Sequence, residues 1–183
     1  DLLVRKEVGS LTGWAALSFL KADRTFPDAY SPFIPQPEVT YPPIFDRRID
    51  FDLVLRYPLP FGGDGGLRWN FGTGIPYTRP IGSHRYYLPD FLREQGLLDR
   101  DGSAVVLGER NGSRYAPYHR LDLSFRKTFE KPWGTLVPYL DLVNVYNRKN
   151  VLFYFFNYRA RPPTRSGISM FPILPTFGFE VRF

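Results

Sequence analysis

Cysteine is absent from the 183 residues, which excludes a disulfide framework, a thiolate metal site and a cysteine nucleophile. The compartment stays open, because an oxidising periplasm tolerates disulfides without demanding them. No stretch approaches the ~20 apolar residues that a membrane helix needs. Blocks of five or six like charges are lacking too: behind a net charge of +6, the 24 basic residues are scattered singly, many beside carboxylates. Nucleic-acid recognition needs a concentrated basic stripe, so no nucleic-acid partner is expected. Histidine is scarce. His84 and His119 are not at metal-ligand spacing, and neither sits in a nucleophile motif. His119 and Ser124 lie close in sequence, but five apart on a strand they point to opposite faces. No catalytic residue, metal ligand or cofactor is expected, and the chain does not read as an enzyme. It opens on Asp1-Leu2-Leu3-Val4-Arg5 inside a strand-like pattern with no signal-peptide pattern before it, so a fragment of a longer protein is expected.

Aromatics make up 17% of the chain, with 18 prolines, 16 glycines and one methionine, a composition that favours an all-β fold. The main signal is period two. Ile49, Phe51, Leu53, Leu55, Tyr57 and Leu59 alternate with Asp50, Asp52, Val54 and Arg56. The pattern returns in Leu67, Trp69, Phe71, Thr73 and Ile75 against Arg68, Asn70, Gly72 and Gly74. It recurs in Leu121, Leu123 and Phe125 against Arg120, Asp122, Ser124 and Arg126, and in Phe177, Phe179, Val181 and Phe183 against Thr176, Gly178, Glu180 and Arg182. The segment 135–147 is apolar on both faces apart from Asp141 and Asn144. Its phase is open, and a bulge near Asn144 would account for it.

Alternation alone does not separate a soluble sandwich from a membrane barrel, since both have one apolar and one polar side per strand. The connections do. Short turns fall at Gly9–Thr12, Pro60–Gly66 and Glu130–Gly134, and long links at about 25–45, 77–117 and 148–173. Links above ~15 residues are uncommon in compact domains. Strict alternation of short turns and long links is the habit of outer-membrane barrels, with short periplasmic turns and long extracellular loops. About seven strands are expected, at 1–8, 12–24, 46–58, 66–76, 118–129, 135–147 and 174–183, with residues 1–183 as one antiparallel transmembrane β-barrel segment. The last strand then ends on the periplasmic side. The run 151–156 reads as part of a raised loop hairpin, with an eighth spanning strand as the alternative.

Four stretches carry a family resemblance. They are Ile44-Phe45-Asp46-Arg47-Arg48, then Gly72-Thr73-Gly74-Ile75-Pro76-Tyr77-Thr78, then Tyr118-His119-Arg120-Leu121-Asp122-Leu123-Ser124, and Pro138-Tyr139-Leu140-Asp141-Leu142-Val143-Asn144-Val145-Tyr146-Asn147. With the ending Phe177-Gly178-Phe179-Glu180-Val181-Arg182-Phe183, their order and spacing resemble the last third of the barrel in TonB-dependent outer-membrane receptors. The resemblance covers nearly the whole chain. It implies a barrel of about 22 strands plugged by an N-terminal domain, in the bacterial outer membrane, for energy-coupled uptake of a scarce ligand such as a siderophore, cobalamin or glycan. It also implies an assembly signal in Phe177, Phe179, Val181 and Phe183. The implied partners are membrane lipid, the remaining strands and plug, the barrel-assembly machinery, and the TonB complex through the missing N-terminal part. A passive porin or an adhesin barrel is the alternative.

In the barrel reading, Asp50, Asp52, Arg56, Arg68, Arg120, Asp122, Arg126, Glu180 and Arg182 face the lumen, where cross-strand pairing is their plainer role. Lys127 falls on the apolar face near the periplasmic end, where it can snorkel. Phe129, Trp133 and Phe183 at one boundary, with Tyr77 and Tyr118 at the other, match aromatic girdles. In the outer loops, Arg79, His84, Arg85, Tyr86 and Tyr87 form a basic-aromatic cluster suited to an anionic or aromatic-rich ligand, against the plainer reading of a solvated loop.

Overall fold

The computed structural model describes residues 1–27, 38–86, 102–158, 160 and 163–183. The chain runs through β1 (Leu2–Lys6), β2 (Thr12–Phe19), β3 (Arg24–Pro27), β4 (Glu38–Tyr41), β5 (Ile49–Pro58), β6 (Asp64–Gly72), β7 (Pro76–Tyr77) and β8 (Pro80–Tyr86). It continues through β9 (Gly102–Leu107), β10 (Ser113–Arg114), β11 (Tyr118–Arg126), β12 (Phe129–Lys131), β13 (Gly134–Val143), β14 (Val151–Asn157), β15 (Thr164–Ser169) and β16 (Leu174–Arg182). No helix long and apolar enough to cross a membrane occurs among the described residues.

The fold is all-β and antiparallel. Its main sheet takes the strands in chain order, β1-β2-β5-β6-β11-β13-β16, as a meander. β12 continues β11 along the same side of β13, because Arg126↔Tyr139 and Phe129↔Leu136 share one register. The gap between them lies opposite Pro138, which has no N–H to give; its carbonyl still accepts from Lys127 N at 3.2 Å. The sheet is open among the described residues, with β1 bonded only to β2 and β16 only to β13.

Each of the seven expected strands has a counterpart in the main sheet, and the differences lie at the ends. The strand expected over 12–24 stops at Phe19, because Arg24–Pro27 belongs to a separate pair with β4. The one expected over 46–58 starts at Ile49, and the one expected over 66–76 runs from Asp64 to Gly72. Long links leave the sheet at these ends, and side-chain bonds replace the ladder there. The segment with uncertain phase ends at Val143. Asn144 takes a left-handed φ of 56° and Val145 N donates to Leu121 O at 2.8 Å, which inserts one extra residue against β11.

Registered pairing decides the faces. Rows such as Leu55↔Leu67↔Leu123↔Leu142 put the apolar residues of neighbouring strands on one side. Rows such as Asp52↔Asn70↔Arg120 put polar ones on the other. The register also assigns Leu136, Pro138, Leu140 and Leu142 to the apolar side of β13. Among the described residues no second layer covers that side: Tyr41, in a link, is their one buried large apolar residue, whereas Phe177 is 85% exposed and Phe179 72%. The largest fully buried side chains are Asn144, Asp46 and Pro76, all where strands meet links. The described residues therefore form a polar-knotted rim in place of an apolar core.

The three short turns share one end of the sheet and the three long links the other. Each long link raises its own two-stranded sheet, β3–β4, β8–β9 or β14–β15, while β7 pairs β10 at the base of the second. The run 151–156 thus pairs with Thr164–Ser169 in a hairpin separate from the main sheet, as the loop reading expects.

Candidate functional site

The long links are tied to the sheet by two buried polar knots. In the first, the fully buried Asp46 carboxylate accepts from Ala22 N at 3.0 Å and Arg48 Nε at 2.9 Å, and also from the Arg114 guanidinium. Arg114 also donates to the carbonyls of Asp46 at 2.6 Å and Gly74 at 3.0 Å. Burial works to raise the Asp46 carboxyl, but the Ala22 N–H, Arg114 and Arg48 outweigh it and hold the group below the usual carboxylate range. Gly74 is required here, since a Cβ would collide with the Tyr115 carbonyl. Asn111, left-handed at φ 54°, donates its side-chain amide to Pro42 O at 2.8 Å and its backbone N–H to the Thr78 hydroxyl at 3.0 Å.

In the second knot, Asn144 N donates to Asp122 at 2.9 Å, and its side-chain amide donates to Arg148 O and Phe171 O, both at 3.0 Å. Asn150 bridges to His119 O at 2.9 Å, and Asn147 accepts from Ile173 N at 3.1 Å. Sequence reasoning did not assign roles to Asp46, Asn111 or Arg114. A signal existed for one: every described non-glycine residue with positive φ is an asparagine, the residue type that best tolerates that conformation.

Above the knots, aromatic rings from two links meet. Tyr77 and Tyr115 are 4.4 Å apart between centroids, and Tyr115 stacks on Tyr154 at 5.3 Å. Arg165 lies over Tyr154 at 4.4 Å, and Phe156 stacks on Tyr158 at 6.2 Å. Burial first, then the adjacent Tyr77 and Tyr154, pushes the Tyr115 hydroxyl up, so it remains a neutral donor at physiological pH. Tyr158 OH donates to Pro80 O and so joins hairpin β14–β15 to β8. Between them opens a cleft of about 430 Å³ with Arg79, Ile81, Phe156, Tyr158 and Arg165 in its lining. That size and mix of flat rings with two guanidiniums suits a small ring-bearing anion.

Of the expected ligand cluster, Arg79 lines this cleft, and His84 is exposed further along β8. Arg85 and Tyr86 lie in β8, and Tyr87 lies outside the described residues. The partners that do meet Arg79 come from β14–β15, a hairpin too distant in sequence for spacing to reveal.

The nine alternating charges fall together. Asp50, Asp52, Arg56, Arg68, Arg120, Asp122, Arg126, Glu180 and Arg182 all stand on the polar side of the sheet by register. Arg56–Asp64 at 2.7 Å and Asp52 with Asn70 pair across strands as expected, but Arg120–Asp122 at 2.8 Å and Arg182–Glu180 at 2.7 Å pair along one strand, where residues two apart share a face. Arg126 lies over Tyr139, its cross-strand partner, at 5.7 Å. A trough of about 560 Å³ runs across this side from β5 to β16. Phe177, Phe179 and Val181 stand on the apolar side with Leu136, Pro138 and Leu140, and Phe183 follows in the same alternation.

One girdle expectation needs correction. Tyr118 pairs with Gly72 on the polar side, and Tyr77 packs among the link rings. The apolar side at that end carries Trp69, Phe71 and His119 instead. Tyr146 OH accepts from Trp69 Nε1 at 3.3 Å and bonds His119 Nδ1 at 2.6 Å. At the other end, Trp133 and Phe183 are 6.3 Å apart.

No group of three or more metal-capable side chains occurs among the described residues. No family model, no curated protein and no solved structure matches the chain.

Proposed function

We infer that this chain is the C-terminal part of the barrel of a TonB-dependent outer-membrane receptor, which takes up a scarce ligand across the bacterial outer membrane. One observation carries the membrane part: a seven-strand meander whose apolar side has no second layer among the described residues and whose charges, apart from Lys6, Lys127 and Lys131 at the short-turn end, gather on the other side. A soluble sandwich would bury that side. Lipid accepts it, provided the charges turn inward to a wet lumen. Missing neighbour strands would satisfy the open edges at β1 and β16, since unpaired backbone is not tolerated in hydrocarbon.

The receptor part rests on the four motifs. All four supply the knots: Asp46 and Gly74, from the first two, sit in one knot, and Asp122 and Asn144, from the last two, in the other. They hold the ring-and-guanidinium cleft at the long-link end, where an incoming ligand arrives. The barrel-assembly machinery would read the last strand, and the TonB complex would act through a plug encoded upstream.

Sequencing the gene 5′ of the Asp1 codon tests this. An open frame with about fifteen further strand segments and a plug with a TonB-contacting segment is the expected result. A frame with strands and no plug would instead make the protein a passive porin or adhesin barrel. A frame with neither would remove the transport reading.

A further inference from the structure

At the short-turn end, Lys127, Phe129 and Lys131 sit two residues apart along the β11–β12 run, so all three project on the apolar side. Both ammonium groups lie near the Phe129 ring, Lys127 at 5.2 Å and Lys131 at 6.0 Å. Lys127 Nζ donates to Phe61 O at 2.9 Å, and its stem runs past Gly62. Neither lysine has a carboxylate partner among the described residues. Glu130, between them, alternates to the other side and accepts from Thr135 at 2.9 Å.

Beside the pair runs a groove of about 230 Å³, lined by Leu59, Phe61, Phe125 and Leu140. It forms because the turn after β5 lies against β11: Gly63, at φ 97°, comes so close to the Arg126 carbonyl that no Cβ fits. Lys127 in the lining of an apolar groove, with Lys131 beside the same Phe129 ring and neither ion-paired among the described residues, calls for one kind of occupant, with an anionic head and a hydrocarbon tail.

We propose that this groove binds an anionic phospholipid of the leaflet at the short-turn end, with an acyl chain along Leu59, Phe125 and Leu140 and the phosphate between Lys127 and Lys131. The proposal rests on the membrane reading above. It assigns the lysines a ligand, where snorkelling alone would leave them in bulk interface.

The test uses the full-length protein purified in detergent and equilibrated with equal amounts of phosphatidylglycerol and phosphatidylcholine of the same chain length. Native mass spectrometry reads the bound lipid. The wild type is expected to retain phosphatidylglycerol roughly tenfold over phosphatidylcholine, and K127Q/K131Q to lose that preference. Lys131→Gln alone, a surface change beside the turn, should lower the ratio by about fivefold, which keeps the test decisive if the double variant does not fold. Equal retention by the wild type, or an unchanged ratio in K131Q, would overturn the lipid site and leave membrane insertion standing. A wild type that stays in the aqueous layer on detergent phase partition would overturn the membrane reading and the site together.

Discussion

At the scale of single residues, stability at the long-link end concentrates in a few buried polar atoms. Asp46 is fully buried while Arg48 and Arg114, its ionic partners, keep 40% and 32% of their side chains exposed. Removing the anion therefore leaves two guanidiniums that water can still reach. Asp46→Asn should cost about 3 kcal/mol, the low end for a broken buried pair. The pH dependence follows from the lowered carboxyl. A group that binds its proton more weakly in the folded chain than in the unfolded one contributes fully above the unfolded value. That contribution is lost as pH falls through the folded value. The gap in thermal midpoint between wild type and D46N should thus hold from pH 7 to about 4 and narrow below. A gap that persists unchanged at pH 2 would show that the carboxylate charge is not what holds the knot.

Strands and links differ in how much of them the sequence discloses. Ile49 to Tyr57 and Phe177 to Phe183 declare themselves because alternation is local: each side chain's face follows from its neighbour's. Strand ends do not, because what stops β5 at Ile49 is Asp46 reaching Arg114, 68 residues away. The same reason hid the partners of Arg79. The bulge at Asn144 was half legible, since two-sided apolarity marks a lost phase but only φ and the Val145 bond fix the position.

The third link gives the sharpest test at this scale. β14–β15 bonds to itself, and its base is closed by Met170 N donating to Asn150 O at 2.7 Å. Deleting residues 151–169 and joining Asn150 to Met170 should leave the main sheet intact. The folded, heat-modifiable gel band should remain, while on the proposed receptor reading ligand uptake by the full-length protein falls because Phe156, Tyr158 and Arg165 are gone. Loss of the folded band would mean that this run is a spanning strand after all.

For the whole molecule, the arrangement of charge decides what surrounds it. The nine alternating charges stand on one side, and the pairs Arg56–Asp64, Arg120–Asp122 and Arg182–Glu180 consume much of it. A one-residue slip of any strand would carry its charges to the apolar side, so the register is fixed by solvent as much as by backbone bonds. Lipid and a covering protein layer would both punish such a slip, but they differ with depth. Hydrocarbon resists an arginine most at its midplane, by ~2–4 kcal/mol, and hardly at its edges, by ~0–1 kcal/mol. Leu123 lies near the middle of the β11–β12 run, while Val181 lies beside the chain end at the short-turn boundary. Reversible unfolding of the full-length protein from bilayers should therefore show Leu123→Arg costing ~2–4 kcal/mol and Val181→Arg ~0–1 kcal/mol. Ser124→Arg, on the polar side opposite Gly66 and Asp141, should stay within about 0.5 kcal/mol. A protein layer packed on the apolar side has no midplane. It would make L123R and V181R comparably costly, and that equality would reject lipid as the missing half of this fold.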